Sequence, residues 1–297
     1  MEKFKVGDIV ARKSYNYDII FKIVGINSIK EYELCGLTVR IVANSPEEDL
    51  KHISNEEVEQ RIKNEEKSRC ERLSRCYSNV YRKFNGMGYY NNKNYYIREP
   101  YIDDPNIFKK DPVLKKPGIV LHIDGDPEYT EKCREAYRKM GLTVYAYNIP
   151  ESEQYRQVYS LLQKIRPNIL ILTGHDAFMR KRNDIYNIEN YKNSKYYIQA
   201  VLEARRYEHN LDNLVIFAGA CQSYYEAIIS AGANFASAPK RVLIDMMDPI
   251  IVAEAIAYTP IDQFVPVANI ISNTREGIDG IGGLQTRGTY RTGMPGL

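Results

Sequence analysis

"NILILTGHDAFM" (residues 168–179) and "NLVIFAGACQSYYEA" (residues 213–227) share one pattern: an apolar run stops at a small residue and then presents a reactive side chain. That side chain is His175 in the first stretch and Cys221 in the second. Short runs rich in Val, Ile and Leu are typical of buried strands in a parallel sheet. Because ligands bind beyond the carboxyl ends of such strands, the pattern predicts an imidazole and a thiol on one rim.

Strands and helices alternate from residue 117 onward, beginning with the strand "GIVLHIDGD" and the helix "PEYTEKCREAYRKMG". This alternation predicts an α/β domain over residues 117–297, in which helices cover both faces of a parallel sheet. The turn "DGDPEY" after the first strand is neither a G-x-G-x-x-G fingerprint nor a P-loop. A dinucleotide or nucleoside triphosphate site of those types is therefore not predicted.

The first third of the chain has a different pattern. Alternating polar and apolar residues broken by turn signals predict a small SH3-like β-barrel over residues 1–52. Residues 53–116 are predicted to form a helix and a flexible linker, and Ser54 with Glu57 makes a capping box at the start of that helix. The linker is rich in Asn, Tyr, Pro and basic residues, which suggests the hypothesis that the protein cleaves itself there.

Composition narrows the function classes. The net charge of +3 does not favour nucleic-acid binding, and no apolar run predicts a signal peptide or a membrane span. The five cysteines are odd in number and lack the regular spacing of a disulfide-bonded framework, which favours free thiols in a reducing compartment. Cys70 and Cys76 lack two further ligands at metal spacing, so neither a zinc site nor another cofactor is predicted.

His175 and Cys221 have both a catalytic and a structural interpretation. A free thiol is only slightly ionised near neutral pH, and a neighbouring protonated histidine favours the nucleophilic thiolate. Backbone N–H groups of Cys221 and of the residue beside His175 would then bind the oxyanion. In the structural interpretation, Cys221 is a small buried hydrophobe and His175 a hydrogen-bonded loop residue. The matched strand ends favour catalysis.

The order of the two residues restricts the enzyme class. Class I glutamine amidotransferases place their histidine after the cysteine, whereas all four histidines here precede Cys221. An apolar strand ending in His and a second ending in Ala–Cys resemble the caspase-like cysteine peptidases, which implies their fold. Asp176 stands where those enzymes carry glycine after the histidine, and its backbone N–H would be the second oxyanion donor.

A narrower resemblance rests on "KVGDIVARKSY", "GIVLHIDGDPEY", "NILILTGHDAF", "FAGACQSYYEAII" and "TREGIDGIGGLQTRGTYRTGMP". These stretches resemble the YabG family, the sporulation-specific cysteine proteases of endospore-forming Firmicutes. The resemblance implies a catalytic Cys221 and His175, cleavage after basic residues, often Arg, and substrates among spore-coat and spore precursor proteins. It also implies action in the mother-cell cytoplasm and at the developing spore surface.

A preference for arginine requires a carboxylate in the specificity pocket, because an unpaired buried guanidinium is costly. Asp124 and Asp126 follow the first parallel strand and are the first candidates. The alternatives are Asp176, Asp245 and Asp248. Each of these residues could equally be a turn or strand-end cap.

Two further questions stay open at this stage. The glycine-rich tail from Ser272 either lines the substrate cleft or is disordered. The main alternative to a cysteine endopeptidase is a non-enzymatic α/β binding domain that its barrel docks onto the spore assembly. A nucleic-acid-binding protein is the third possibility, and it predicts strongly salt-dependent affinity.

Overall fold

The N-terminal part folds as one antiparallel sheet. The computed structural model describes residues 4–85, 114–179 and 184–293. The strands are β1 (Ile9–Arg12), β2 (Ile20–Ile26), β3 (Tyr32–Gly36), β4 (Val42–Ser45) and β5 (Leu50–His52). Their order is β4-β3-β2-β1-β5, and each pairs antiparallel with its neighbours. The predicted group of short strands is confirmed as an antiparallel sheet.

Helix α1 (Asn55–Asn85) follows directly. The capping box is confirmed at its start, where the Glu57 N–H donates to Ser54 Oγ at 3.2 Å. Arg69 and Arg72 of this helix are buried, with ion pairs to Asp245 of 2.9 and 3.1 Å. Most of the predicted linker, with its hypothetical self-cleavage site, lies outside the described residues.

The central sheet has six strands in the order β12-β11-β10-β9-β7-β8. After the short β6 (Leu114–Lys116), they are β7 (Val120–Asp124), β8 (Val144–Asn148), β9 (Ile169–Thr173), β10 (Val215–Ala218), β11 (Phe235–Ser237) and β12 (Ile281–Gly283). The pairs within β8-β7-β9-β10-β11 are parallel, and β12 joins antiparallel at the edge. The predicted α/β class with a mostly parallel sheet is confirmed.

Helices cover both faces of this sheet. They are α2 (Pro127–Lys139), α3 (Glu151–Ile165), α4 (Ser194–Tyr207), α5 (Tyr225–Ser230), α6 (Asp248–Tyr258) and α7 (Val267–Ile271). Side chains alternate between the faces: Ile171 of β9 belongs to the core cluster with α2 and α6, while Leu172 belongs to the cluster with α3 and α4. The first cluster also contains Phe21 and Ile41 from the N-terminal part, so the antiparallel sheet shares a core with the central sheet.

Up to residue 293 the glycine-rich tail forms regular structure and is not a disordered segment. It supplies β12 and then β13 (Arg291–Gly293), which pairs with β6. A Cβ on Gly283 would lie 2.4 Å from Phe235 Cδ1 and 2.5 Å from Asn234 O. Glycine is needed there because the edge strand packs closely on β11. Within the described ranges, no helix combines the length and apolarity needed to cross a bilayer.

Candidate active site

The two predicted site residues follow adjacent parallel strands. His175 comes two residues after β9 and Cys221 three residues after β10, and Leu172 of β9 is in register with Ala218 of β10. Gly174 and Gly219 precede them with φ angles of +156° and +110°, in the region that favours glycine. A Cβ on these glycines would lie 2.2 Å from Glu151 Oε1 and 2.5 Å from Ser237 Oγ, respectively. These glycines thus serve packing within the chain.

His175 is held firmly by its backbone. Its N–H donates to Glu151 Oε1 at 2.7 Å, and its carbonyl oxygen accepts from Asn193 Nδ2 at 2.8 Å and Tyr197 OH at 3.2 Å. On the ring, Nε2 lies 3.2 Å from Cys35 Sγ and 3.9 Å from Asp126 Oδ2. Cys35 belongs to β3 of the N-terminal sheet, so that sheet places a thiol directly on the histidine.

Burial controls the charge of this histidine. It lowers the pKa of His175 to about 4, against a partly compensating attraction from Asp126 and with a further lowering by Arg40. The imidazole is therefore neutral at neutral pH in the arrangement described, and a neutral ring does not stabilise a neighbouring thiolate.

Cys221 is fully buried and its sulphur is already engaged. Sγ accepts from the Ile244 N–H at 3.2 Å and lies 3.6 Å from the Ile244 carbonyl oxygen. Burial raises the pKa of this thiol to about 12. Among the described residues no hydrogen bond joins Cys221 Sγ to the His175 ring. In this arrangement the Cys221 thiol and the His175 ring are both uncharged. The thiol contacts Ile244 and the ring contacts Cys35.

The backbone around the two residues converges on one oxygen atom. The Arg40 carbonyl oxygen accepts from the Cys221 N–H at 3.1 Å and from the Asp176 N–H at 3.3 Å. These are the two amides predicted from the sequence as oxyanion donors. Two N–H groups aimed at one carbonyl oxygen are the arrangement that stabilises negative charge developing on such an oxygen.

The Arg40 side chain is buried among partners from the central part of the chain. The guanidinium is fully buried, with Nη2 2.9 Å from Asp124 Oδ2 and Nη1 3.1 Å from Asp124 Oδ1. Nη2 also donates to the Met246 carbonyl oxygen at 2.9 Å, and the Tyr129 ring centroid lies 4.9 Å from Arg40 Cζ. The nearby guanidinium lowers the pKa of Asp124 well below its usual range, despite burial.

Asp176 has a role in the structure that glycine could not fill. Its buried carboxylate accepts from Ser194 Oγ at 2.5 Å, Ser223 Oγ at 2.9 Å and the Asn193 N–H at 2.7 Å. It thus ties the loop after β9 to the start of α4 and to the turn after Cys221. This carboxylate network fixes the Asp176 amide toward the Arg40 carbonyl, where a glycine would leave it free to move.

The candidate pocket carboxylates have different partners. Asp124 alone among them pairs with Arg40, whereas Asp126 caps α2 by accepting from the Tyr129 N–H at 2.9 Å. The Asp245 carboxylate is taken by Arg69 and Arg72. Asp248 accepts from the Asp245 N–H at 2.9 Å and the Arg275 N–H at 3.1 Å, and burial raises its pKa to about 7.

Sequence reasoning missed three residues of this site. Glu151 holds the His175 amide, Cys35 contacts its ring, and Arg40 fills the pocket. Cys35 and Arg40 lie in a stretch that reads as strand, "YELCGLTVRIVA", and no local pattern links it to residues more than 80 positions away. Glu151 follows Pro150 at a helix start, where an acidic residue already has the local role of complementing the dipole.

Metal-ligand atoms also come together here. The Cys35 sulphur, an Asp126 carboxylate oxygen and a His175 ring nitrogen lie within 4.8 Å of one another. They are ligand types that zinc accepts, but a structural zinc site has four protein ligands and a catalytic one has three with an open position. Cys35 Sγ lies 3.2 Å from His175 Nε2, a distance that also suits a hydrogen bond between the two side chains.

Comparison with known proteins decides the family. The family model described as YabG peptidase U57 matches residues 5–295. The sporulation-specific protease YabG of Bacillus subtilis (strain 168) is 38% identical over 297 residues, covering 99% of this chain and 98% of the relative. The chain belongs to the YabG peptidase family. Membership in the YabG family makes it a peptidase, and the predicted resemblance is confirmed. No solved structure matches the chain.

The buried histidine gives a prediction for the pH dependence of stability. The pKa of His175 falls from 6.5 to about 4 on folding, so the folded state resists protonation of this ring. The stability that comes from keeping the ring neutral is therefore fully present above pH 6.5 and is lost as the pH drops toward 4. When the pH is lowered from 7.5 to 5, this residue alone should reduce the free energy of unfolding by about 2 kcal/mol. Urea unfolding of wild type and His175→Gln at both pH values measures it. An equal fall in both proteins would contradict the prediction.

Proposed function

We propose that this YabG family member is a cysteine endopeptidase that cuts after arginine, with Cys221 as nucleophile and His175 as general base. One observation carries the proposal: the carbonyl oxygen of Arg40 accepts from the Cys221 and Asp176 amides while its guanidinium pairs with Asp124. This arrangement supports the proposal, because the same contacts would hold a substrate arginine that precedes the scissile bond. The fold we propose is caspase-like, because the histidine and cysteine follow neighbouring parallel strands in that order.

The reaction needs four groups. Cys221 gives its proton to a ring nitrogen of His175, and its sulphur bonds to the carbonyl carbon of the substrate arginine. The amides of Cys221 and Asp176 hold the negative oxygen. The carbon–nitrogen bond then breaks and His175 protonates the leaving amine. Water, deprotonated by the histidine, hydrolyses the thioester and restores the thiol.

Selectivity in this proposal comes from Asp124. Its two carboxylate oxygens face two nitrogens of one guanidinium, and this bidentate geometry suits arginine better than the point charge of lysine. The Met246 carbonyl and the Tyr129 ring complete the pocket wall. His122 Nε2 lies 3.3 Å from Asp124 Oδ2 and orients the carboxylate from behind.

The family suggests a biological setting for the proposed activity. The Bacillus subtilis relative is named as a sporulation-specific protease. We propose that this chain processes spore-coat and related precursor proteins, and that it acts in the mother-cell cytoplasm and at the developing spore surface. The N-terminal sheet, proposed as SH3-like, would remain attached to the catalytic part through their shared core.

Cleavage mapping tests the proposed function. Purified wild type is incubated with an unfolded test protein that contains both arginine and lysine, and the product termini are identified by mass spectrometry. We expect cuts after arginine at least about 10-fold more often than after lysine. The matched control is Cys221→Ala prepared in the same way. Cuts without a basic preference, or the same products from the control, would contradict the proposal.

A further inference from the structure

The connection between β3 and β4 leaves the N-terminal sheet and runs through the candidate cleft. We name residues 37–41 the cleft segment. Its backbone pairs with both walls: Val39 forms an antiparallel bridge with Asp245, and Ile41 a parallel bridge with Asp176. Just beyond it, the Val42 N–H donates to the Asp176 carbonyl oxygen at 3.2 Å. An extended peptide that pairs its backbone with the walls of a groove is the usual form of peptide recognition by strand addition.

Arg40 anchors this segment at the point where chemistry would occur. Its carbonyl oxygen takes both amides that would hold an oxyanion, and its guanidinium takes the Asp124 carboxylate. The side chain is fully buried, so no second arginine fits beside it. A substrate arginine needs the same three groups, and it gains them only when Arg40 gives them up.

The same sheet also blocks the histidine. Cys35, five residues before Arg40, places Sγ 3.2 Å from His175 Nε2. The Cys221 sulphur is meanwhile turned to the Ile244 amide. The histidine thus contacts Cys35 and not the candidate nucleophile Cys221. The hydrogen bond that holds the Cys221 sulphur must break before this sulphur can attack a substrate. Substrate positions and catalytic groups are therefore engaged together.

We propose that the cleft segment is an internal substrate mimic, with Arg40 in the arginine pocket, that keeps the peptidase latent until it is displaced. The inference rests on the proposed function, because the cleft is a substrate site only if the enzyme cuts after arginine. Displacement frees the Cys221 and Asp176 amides, removes Cys35 from His175 and opens Asp124. Apparent substrate affinity is reduced by the fraction of molecules in the open state.

Active-site labelling tests the mimic. In a peptidyl-arginine chloromethyl ketone, the sulphur of Cys221 displaces chloride and forms a thioether, with loss of HCl. Intact-protein and peptide mass spectrometry give the rate and the site of labelling. We expect Arg40→Ala to be labelled at Cys221 at least 10-fold faster than wild type. The matched control is Arg12→Ala, which should label at the wild-type rate. Arg12 ends β1 of the same sheet and pairs with Asp49, outside the cleft segment.

The outcomes separate the two proposals. Equal labelling of Cys221 in wild type and Arg40→Ala would overturn the mimic and leave the peptidase intact. Folded proteins that take no label at Cys221, with or without Arg40, would overturn the proposed function itself. Circular dichroism and thermal unfolding establish that each variant is folded.

A measurement on wild type covers the case in which Arg40→Ala does not fold. A peptide ending in arginine aldehyde adds reversibly to the Cys221 thiol, and the hemithioacetal is detected by mass. If it displaces the cleft segment, the Ile41 and Val42 amides, which donate to Val39 and Asp176, lose protection from hydrogen exchange by at least 10-fold. An adduct on Cys221 with unchanged exchange at these amides would overturn the mimic.

Discussion

Replacing Cys221 with alanine should abolish cleavage after arginine, with a loss of at least about 10⁴-fold in kcat, because the remaining groups can neither form nor resolve a thioester. His175→Ala should cost a comparable factor, since the two residues act as one unit. Rates are measured on a fluorogenic arginine peptide. Cys70→Ala is the matched control, because Cys70 is an exposed thiol on α1 and its loss should leave the rate unchanged.

A second cysteine makes this experiment decisive. Cys35 Sγ lies 3.2 Å from His175 Nε2, so a distance criterion alone would nominate Cys35 as the nucleophile. Burial with Asp126 and Glu151 nearby raises the pKa of Cys35 to about 12, as burial also does for Cys221. The backbone amides favour Cys221 over Cys35 as the nucleophile, because the Cys221 N–H donates to the same oxygen as the Asp176 N–H. A peptidase that survives Cys221→Ala but not Cys35→Ala would reverse the assignment.

Local patterns predicted the two strand ends that carry His175 and Cys221, because the information that specifies a strand and its end is local. An apolar run followed by a small residue and a reactive side chain specifies a buried strand and what stands at its end. Two such strands joined by one helical crossover are usually neighbours, as β9 and β10 are. Asp124 was predictable on the same grounds, since it is the last residue of β7.

The contents of the cleft were not predictable, because they depend on packing between distant parts of the chain. Nothing near Arg40 in the sequence distinguishes it from the other cations of the N-terminal sheet. Its pairing with Asp124, 84 positions away, exists only once that sheet shares a core with the central one. The same holds for Asp176, whose carboxylate meets its hydrogen-bond donors only where the fold brings Ser194 and Ser223 beside it.

Asp124→Asn gives the second large effect. With an amide in place of the carboxylate, a substrate guanidinium would be buried without a counter-charge, and kcat/KM for arginine peptides should fall by at least about 10²-fold. Arg40 would lose the same partner, so the free energy of unfolding should fall by about 3–5 kcal/mol. Urea unfolding and peptide kinetics measure the two losses. Asp49→Asn, which breaks the more exposed pair with Arg12, should cost about 1 kcal/mol or less and leave kcat/KM unchanged.

The double variant Arg40→Leu with Asp124→Asn separates the two roles of this carboxylate. An apolar side chain beside a neutral amide leaves no unpaired charge, so stability should recover by at least about 2 kcal/mol relative to Asp124→Asn. Arginine cleavage should not recover, because the substrate guanidinium still finds no carboxylate. Recovery of both would show that Asp124 serves only to hold Arg40. Arginine selectivity would then have to come from a carboxylate other than Asp124.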